Sequence, residues 1–444
     1  MLFALLALGC ATPVCDVAVS EVHTVLRADV ETPRPERLSV VWESEGEENR
    51  SPLGAEPSRT HAALLFDLAP LVDVLWRVLD DNGDEVCAGE AQTANLAAGT
   101  PAFTAAPSGA PVDGYWLVPM FGVSQGTKQS HVGLFRADGT WIWQFQSEED
   151  RQIISADVTP DGVRFNQFDF DRIVDFASLE TVGLDGARVA SEPTQMAHHF
   201  FAPLDDGAVA YLRADARVTD EYGCVVGDTL IERDADGTER QIWSAWDTFP
   251  IRPGTVWEKG FYPLCKDWTH GSGLSWREAD DTLLVTLLGP RQVVHIDRAT
   301  GRTLATFGTN WQIPTAPDSP AFEVPHNAMW AEDGRLLLFD SHAGIPESGC
   351  YAYRVDPETQ TLVVINRWYD TLHAGTFLGG VQELPDGRIS CTWGSDGFVR
   401  VYQNSPTVLD YELRVDGLLQ FGSARWLPNL DTLAAGRTPP DEAR

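Results

Sequence analysis

Positive charge is scarce in this chain. Its 444 residues carry 32 Lys and Arg against 65 Asp and Glu, a formal net charge of −33. A surface of that sign repels phosphate backbones and anionic bilayers, so nucleic-acid binding is not expected. The acidity suits solubility, including in a salty medium, and an anionic substrate would need a locally positive pocket. Beyond the first residues, no run is long and apolar enough to span a membrane. The seven cysteines include no CxxC zinc signature, and no long amphipathic helix can be traced. What the chain does have is apolar bulk: 43% hydrophobic residues with 15 Trp and 20 Phe, ample for a sizeable core and incompatible with disorder. At this length two domains are the starting expectation.

The opening Met-Leu-Phe-Ala-Leu-Leu-Ala-Leu-Gly-Cys is similar to a bacterial lipoprotein signal. Residues 1–15 are therefore expected to be an export segment with Cys10 as the lipidation site, directing the chain to the periplasm or cell surface, with or without a lipid anchor in the membrane. No Lys or Arg precedes the apolar run and Ala7-Leu8-Gly9-Cys10 is a loose lipobox, so simple secretion and an N-terminal core strand stay open. Setting Cys10 aside leaves six cysteines. In an oxidising compartment, pairing in sequence order is expected: Cys15 with Cys87, Cys224 with Cys265, and Cys350 with Cys391. Other connectivities, and buried free thiols, are the alternatives.

Residues 16–97 alternate short strand-like runs with turns: Leu38-Ser-Val-Val-Trp-Glu, Ala63-Leu-Leu-Phe-Asp-Leu, Val74-Leu-Trp-Arg-Val-Leu, then the turn Asp81-Asn-Gly-Asp. The pattern predicts a small β-sandwich, and its order resembles a fibronectin type III module. Residues 98–113, rich in Ala, Pro, Gly and Ser, read as a linker. From Gly114 to about residue 436 a hairpin recurs, as in Leu134-Phe-Arg-Ala-Asp-Gly-Thr-Trp, Leu230-Ile-Glu-Arg-Asp-Ala-Asp-Gly, Val294-His-Ile-Asp-Arg-Ala-Thr-Gly and Tyr353-Arg-Val-Asp-Pro-Glu-Thr-Gln. Weaker copies surround Val174-Asp-Phe and Val401-Tyr-Gln, bringing the count to six. The fold class expected is all-β: a six-bladed β-propeller with an N-terminal fibronectin type III-like β-sandwich domain, and residues 437–444 as a tail.

A second repeat bears on chemistry. His199 stands eight positions before the turn glycine Gly207, His326 eight before Gly334, and Gly379 eight before Gly387, each turn feeding an apolar strand. Equivalent positions on a radial repeat lie on a ring around the axis, so histidines far apart in sequence should meet. His270, in Asp267-Trp-Thr-His-Gly-Ser-Gly, precedes the strand Leu283-Leu-Val and is placed in the same cluster; His198 is an alternative to His199. His23, His61, His131, His295 and His373 are read as structural or exposed, His342 is left undecided, and Trp268, Trp276 and Trp330 are read as packing residues.

These motifs in order, Asp267-Trp-Thr-His270, Asp280-Asp-Thr-Leu-Leu-Val, His295-Ile-Asp-Arg-Ala-Thr-Gly, Pro325-His326-Asn-Ala and Gly380-Val-Gln-Glu-Leu-Pro-Asp-Gly, resemble the bacterial aryl sulfate sulfotransferase (arylsulfotransferase) family, periplasmic six-bladed propellers with an N-terminal β-domain. The resemblance implies sulfuryl transfer from an aryl sulfate donor to a phenolic acceptor by a ping-pong route through a sulfo-histidine, with no nucleotide, metal or other cofactor. It places the nucleophile at His326, an acid or sulfuryl ligand at His270, and the third histidine at His199. Ser272, Asn327 and Arg291 are the expected substrate contacts. The sequence departs from the family at two positions. Leu288 occupies the family's arginine position, leaving Arg291 as the nearby cation, and Ser272 replaces an asparagine. Two other functions compete: a non-catalytic binding or sensory propeller lipoprotein, and a metal-dependent propeller hydrolase.

Overall fold

The computed structural model describes residues 12–435, apart from 52–55, 125–126, 148–150, 170–172, 174–175, 258–264, 343–347, 374 and 405–407. Cys10 and the 437–444 tail lie outside the described residues. The chain is all-β, built from antiparallel sheets in a propeller-like succession.

The N-terminal segment folds as two facing sheets. One joins Val14–Val19, Leu26–Glu36 and Ser58–Leu65; the other joins Glu47–Arg50, Ser39–Ser44, Asp73–Leu79 and Glu85–Gln92. Period-two alternation makes these strands: in Asp73–Leu79, Val74, Trp76 and Val78 turn inward while Leu75 and Arg77 face out. Trp42 and Trp76 fill the space between the sheets with Leu26, Val40 and Leu65. The Cys15–Cys87 disulfide ties the first strand of one sheet to the last of the other.

Six further sheets follow in chain order. The second to fifth are four-stranded meanders spanning 156–193, 197–244, 271–307 and 325–369, the third taking Lys266–Asp267 as an added parallel strand. Middle strands such as Thr282–Leu287, Leu336–Asp340 and Ile389–Trp393 are buried along their whole length, because each lies between neighbouring sheets; this is why they read as mainly apolar runs without period-two alternation. The first strands of the third to sixth sheets, Ala197–Pro203, Gly271–Arg277, Pro325–Trp330 and Gly380–Glu383, each contact the next. Gly273 permits the closest approach: a Cβ there would lie 2.4 Å from the Asn327 backbone.

The repeated hairpins are the third and fourth strands of these sheets, with turns at Asp138-Gly139, Asp236-Gly237, Thr300-Gly301 and Glu358-Thr359. The copy expected around Val174 lies partly outside the described residues; the hairpin of the second sheet joins Ala177–Val182 to Arg188–Pro193 around Asp185-Gly186. Residues 98–113 are also more than a linker. Phe103–Pro107 is a strand on the outer edge of the sixth sheet, paired with Leu409–Val415. Its composition is weakly strand-forming, but an edge position needs hydrogen bonds on one side only and Leu409–Val415 supplies them. Leu418–Phe421 and Arg425–Leu427, from the C-terminal end, pair with Tyr115–Ser124 and complete the first sheet.

Candidate functional site

The first strand of each of the third, fourth and fifth sheets breaks register near its start: between His198 and Phe201, between Gly271 and Gly273, and between His326 and Met329. Such bulges re-aim side chains. His199, His270 and Asn327 have φ of 55°, 45° and 40°, a conformation that costs an ordinary residue about 1–3 kcal/mol and gathers where function overrides local preference. The bulges bring His198, His199, His270 and His326 into one buried cluster; none is more than 4% exposed.

The His199 and His270 rings stand edge to face with centroids 4.7 Å apart. His270 donates from Nδ1 to Asp267 Oδ2 at 2.7 Å. His198 and His199 face each other through Nδ1 atoms 2.8 Å apart, and His198 donates from Nε2 to Asp228 Oδ1 at 2.7 Å. The other oxygen of Asp228 accepts from Thr269 Oγ1 at 2.5 Å and from the Gly271 backbone at 2.7 Å, gripping the segment that carries His270 from both sides. Burial works against that carboxylate, but His198, Thr269 and His270 outweigh it and hold its pKa below the usual carboxylate value. The Cys224–Cys265 disulfide and the pairing of Lys266–Asp267 with Gly223–Arg233 fix the approach to His270.

His326 is set by its own sheet. Its Nδ1 donates to the Val324 carbonyl at 2.9 Å, with Ser341 Oγ at 3.3 Å, and its Nε2 accepts from the Leu378 backbone at 3.2 Å. Asp340, across the pair from Pro325, accepts from the Glu323 and Val324 backbones at 2.9 and 2.7 Å and so holds the carbonyl that orients the ring. Burial pushes the Asp340 carboxyl up. Gly379 lets the Leu378 turn come close, since with φ at 145° a Cβ would lie 2.2 Å from the Phe339 ring. Burial drives the His326 ring down to about 4, the Val324 bond opposing and His270 adding repulsion. His199 is held well below its ordinary value by burial and by His270, His198 and His326. These mutual influences put all three expected histidines in one electrostatic unit.

Sequence counting back from the turn glycine selects His199 as the partner of His326, whereas strand register selects His198. His198 lies opposite Leu212 and His326 opposite Phe339, each five positions past its turn glycine. The bulge of the third sheet holds one residue more than that of the fifth, so both histidines of that sheet enter the cluster. Asp228, Asp267 and Asp340 escaped sequence reasoning; Asp267 alone had a local signal, its three-residue spacing from His270.

Three expected substrate contacts sit differently. Arg291 is 57% exposed and pairs with Glu323 at 3.0 Å, because its turn projects from the sheet edge. Leu288 is buried, its backbone donating to the His270 carbonyl at 3.2 Å. Among the described residues, no cation donates to the His326 ring. Ser272 is fully buried and gives its hydroxyl to the Pro325 carbonyl at 2.7 Å, which makes it a brace for the His326 strand. Asn327 donates to Ser423 Oγ at 3.2 Å and lines a cavity of about 400 Å³ with Phe200, Phe201, Trp276, Met329, Gln382 and Arg425. That cavity follows the histidines along the innermost strands, toward their C-terminal ends. His342 is buried with Nε2 3.8 Å from Asp340 Oδ2, while Trp268 and Trp330 pack in the sheets as expected. Among the described residues, no three His, Cys, Asp or Glu form a group that could hold a metal ion.

No family model and no curated protein matches the chain. Among solved structures it is similar to a protein of unknown function from Bacteroides caccae, at 12% identity and a TM-score of 0.43, over 70% of this chain and 98% of that one. It is similar also to an auxiliary nutrient binding protein from Bacteroides ovatus, at 10% identity and 0.37, over 88% and 94%. A third is a streptogramin B lyase, at 10% identity and 0.36, over 78% and 90%. None of these likenesses bears on the chemistry of the histidine cluster.

Proposed function

We propose that the six sheets are the blades of a β-propeller behind a fibronectin type III-like sandwich, and that the exported protein, periplasmic or at the cell surface, transfers a sulfuryl group from an aryl sulfate to a phenolic acceptor. One observation carries the reading: three histidines from successive sheets share one buried cluster, and His326 commits its Nδ1 proton to Val324, leaving the lone pair on Nε2. A neutral imidazole of that tautomer is the form that attacks sulfur. The Leu378 N–H that Nε2 accepts must yield as the S–N bond forms. His270, backed by Asp267, serves as acid toward the leaving phenolate or as donor to the sulfuryl oxygens.

A binding protein is the second reading. Leu288 in place of the family's arginine, with Arg291 turned to Glu323, favours it, because a sulfuryl group in transfer needs donors and losing one can cost about a hundredfold in rate. Incubation with a chromogenic aryl sulfate and phenol separates the two. Release of the chromophore that depends on phenol and yields phenyl sulfate supports transfer; an inert mixture supports binding alone.

A further inference from the structure

The cavity of about 400 Å³ on the innermost strands has no part in the transfer proposed above. Residues from each of the six sheets line it, and His198, His199, His270 and His326 do not. The geometry points to a second, separate binding site, one that takes a neutral aromatic ligand of one or two rings carrying a hydroxyl group. This goes beyond the sulfotransferase reading and stands whether or not the histidines transfer sulfuryl groups.

The wall divides by chemistry. The third, fourth and fifth sheets give Phe200, Phe201, Trp276 and Met329. The second gives Asp157, the sixth Gln382, and the C-terminal segment that completes the first gives Ser423 and Arg425. Phe200 and Phe201 are buried, and Trp276 is fixed by donating from Nε1 to Asp281 Oδ1 at 3.0 Å, so the apolar side is already in place before a ligand arrives. A flat aromatic ring displaces water from such a surface favourably, and the volume falls in the range of small-molecule sites.

Most polar groups of the wall are committed to the protein itself. Gln382 uses both ends of its amide on the Trp426 backbone, at 3.1 and 2.8 Å. Asp157 accepts from the Val158 backbone at 2.8 Å and pairs with Arg425. Asn327 gives an N–H to Ser423 Oγ at 3.2 Å. A sugar, with a hydroxyl on nearly every carbon, would leave most of them without partners, whereas a ligand of low polarity loses little on entry. Two groups face it with capacity to spare among the described residues: the Asn327 amide oxygen, an acceptor, and the Arg425 N–H groups beyond the Asp157 pair, which are donors. A hydroxyl can answer either. The described lining carries one cation and one carboxylate, already paired, so an arriving anion would meet the buried Asp157 and an arriving cation would meet Arg425.

With four methionines in the chain, the site can be watched directly. In protein carrying ¹³C-methyl methionine, 2-naphthol should shift the Met329 signal, assigned with Met329→Leu, saturably and with a Kd of about 100 μM. The signals of Met120 and Met196, neither of which lines the cavity, should stay in place. Naphthalene-2-sulfonate, the same ring with a fixed negative charge, should bind about tenfold more weakly or less. Trp276→Leu should weaken 2-naphthol about tenfold, and the wild-type measurements decide if that variant does not fold. A Met329 signal that ignores 2-naphthol, equal binding of the sulfonate, or undiminished affinity in folded Trp276→Leu overturns the proposal. Neither compound is a sulfuryl donor, so the outcome is independent of any activity at His326.

Discussion

At the scale of single residues, burial decides which histidines stay neutral near pH 6. An unfolded histidine titrates near 6.5, whereas His326 is held to about 4 by the loss of water around it. His131, buried in the first sheet, is also lowered to about 4 by desolvation, and His199 moves the same way. The sign follows from linkage. Between about 4 and 6.5 the unfolded chain binds protons at His326 and His131 that the folded chain refuses, so these two groups contribute stability that is full above about 6.5 and lost as pH falls toward 4. Each contributes up to about 1.4 kcal/mol per pH unit inside that window. Urea midpoints should therefore fall steadily from pH 6.5 to 4.5, and less steeply when His131 is replaced by Phe; a midpoint that holds across the window contradicts the burial argument. His199 and His326 could be read from the sequence because turn glycines mark where their first strands end, and His270 from its place ahead of the strand Leu283-Leu-Val. Their aspartates could not, because Asp228 and Asp340 reach the site through strand pairing, which leaves no trace in local spacing.

At the scale of elements, the cluster depends on how chain segments outside the sheets are tied down. His270 ends a long connection whose last residues pair with Gly223–Arg233 and whose cysteine, Cys265, is bonded to Cys224 on that strand. The bond closes a loop of 41 residues and should contribute about 2–4 kcal/mol. Replacing Cys224 and Cys265 together by serine should lower stability by that amount and the proposed transfer rate by more than the loss of Cys15–Cys87, which lies in the N-terminal sandwich far along the chain from His198, His199, His270 and His326. Equal effects of the two deletions on rate, measured below either melting transition, would show that the clamp does not place His270. All three cysteine pairs follow the sequence-order pairing, and three disulfides fit an oxidising, exported environment. The bulges were hidden: a strand that gains one or two residues looks the same in sequence as one that does not, and this is why counting from Gly207 selected His199 and passed over His198.

At the scale of the whole molecule, the repeat could be read but its closure could not. Apolar runs punctuated by Asp-Gly turns announced the successive sheets, because each middle strand is covered on both faces. The pairing of Leu418–Phe421 with Tyr115–Ser124 joins residues some 300 apart in sequence and is set by the ring as a whole. So is the use of Phe103–Pro107 as an edge strand. The same sheets set four buried histidines at one place in a chain whose net charge is −33, and no cation among the described residues donates to the His326 ring. The proposed transfer would have to draw its donors from imidazoles and backbone amides, and the most direct test is to catch the intermediate. Rapidly quenched protein, mixed with an aryl sulfate and no acceptor, should carry one sulfuryl group on the peptide containing His326, released on adding phenol and absent in His326→Ala, whose turnover should fall more than about a thousandfold. A sulfuryl group on another residue, or none while turnover proceeds, would contradict the account.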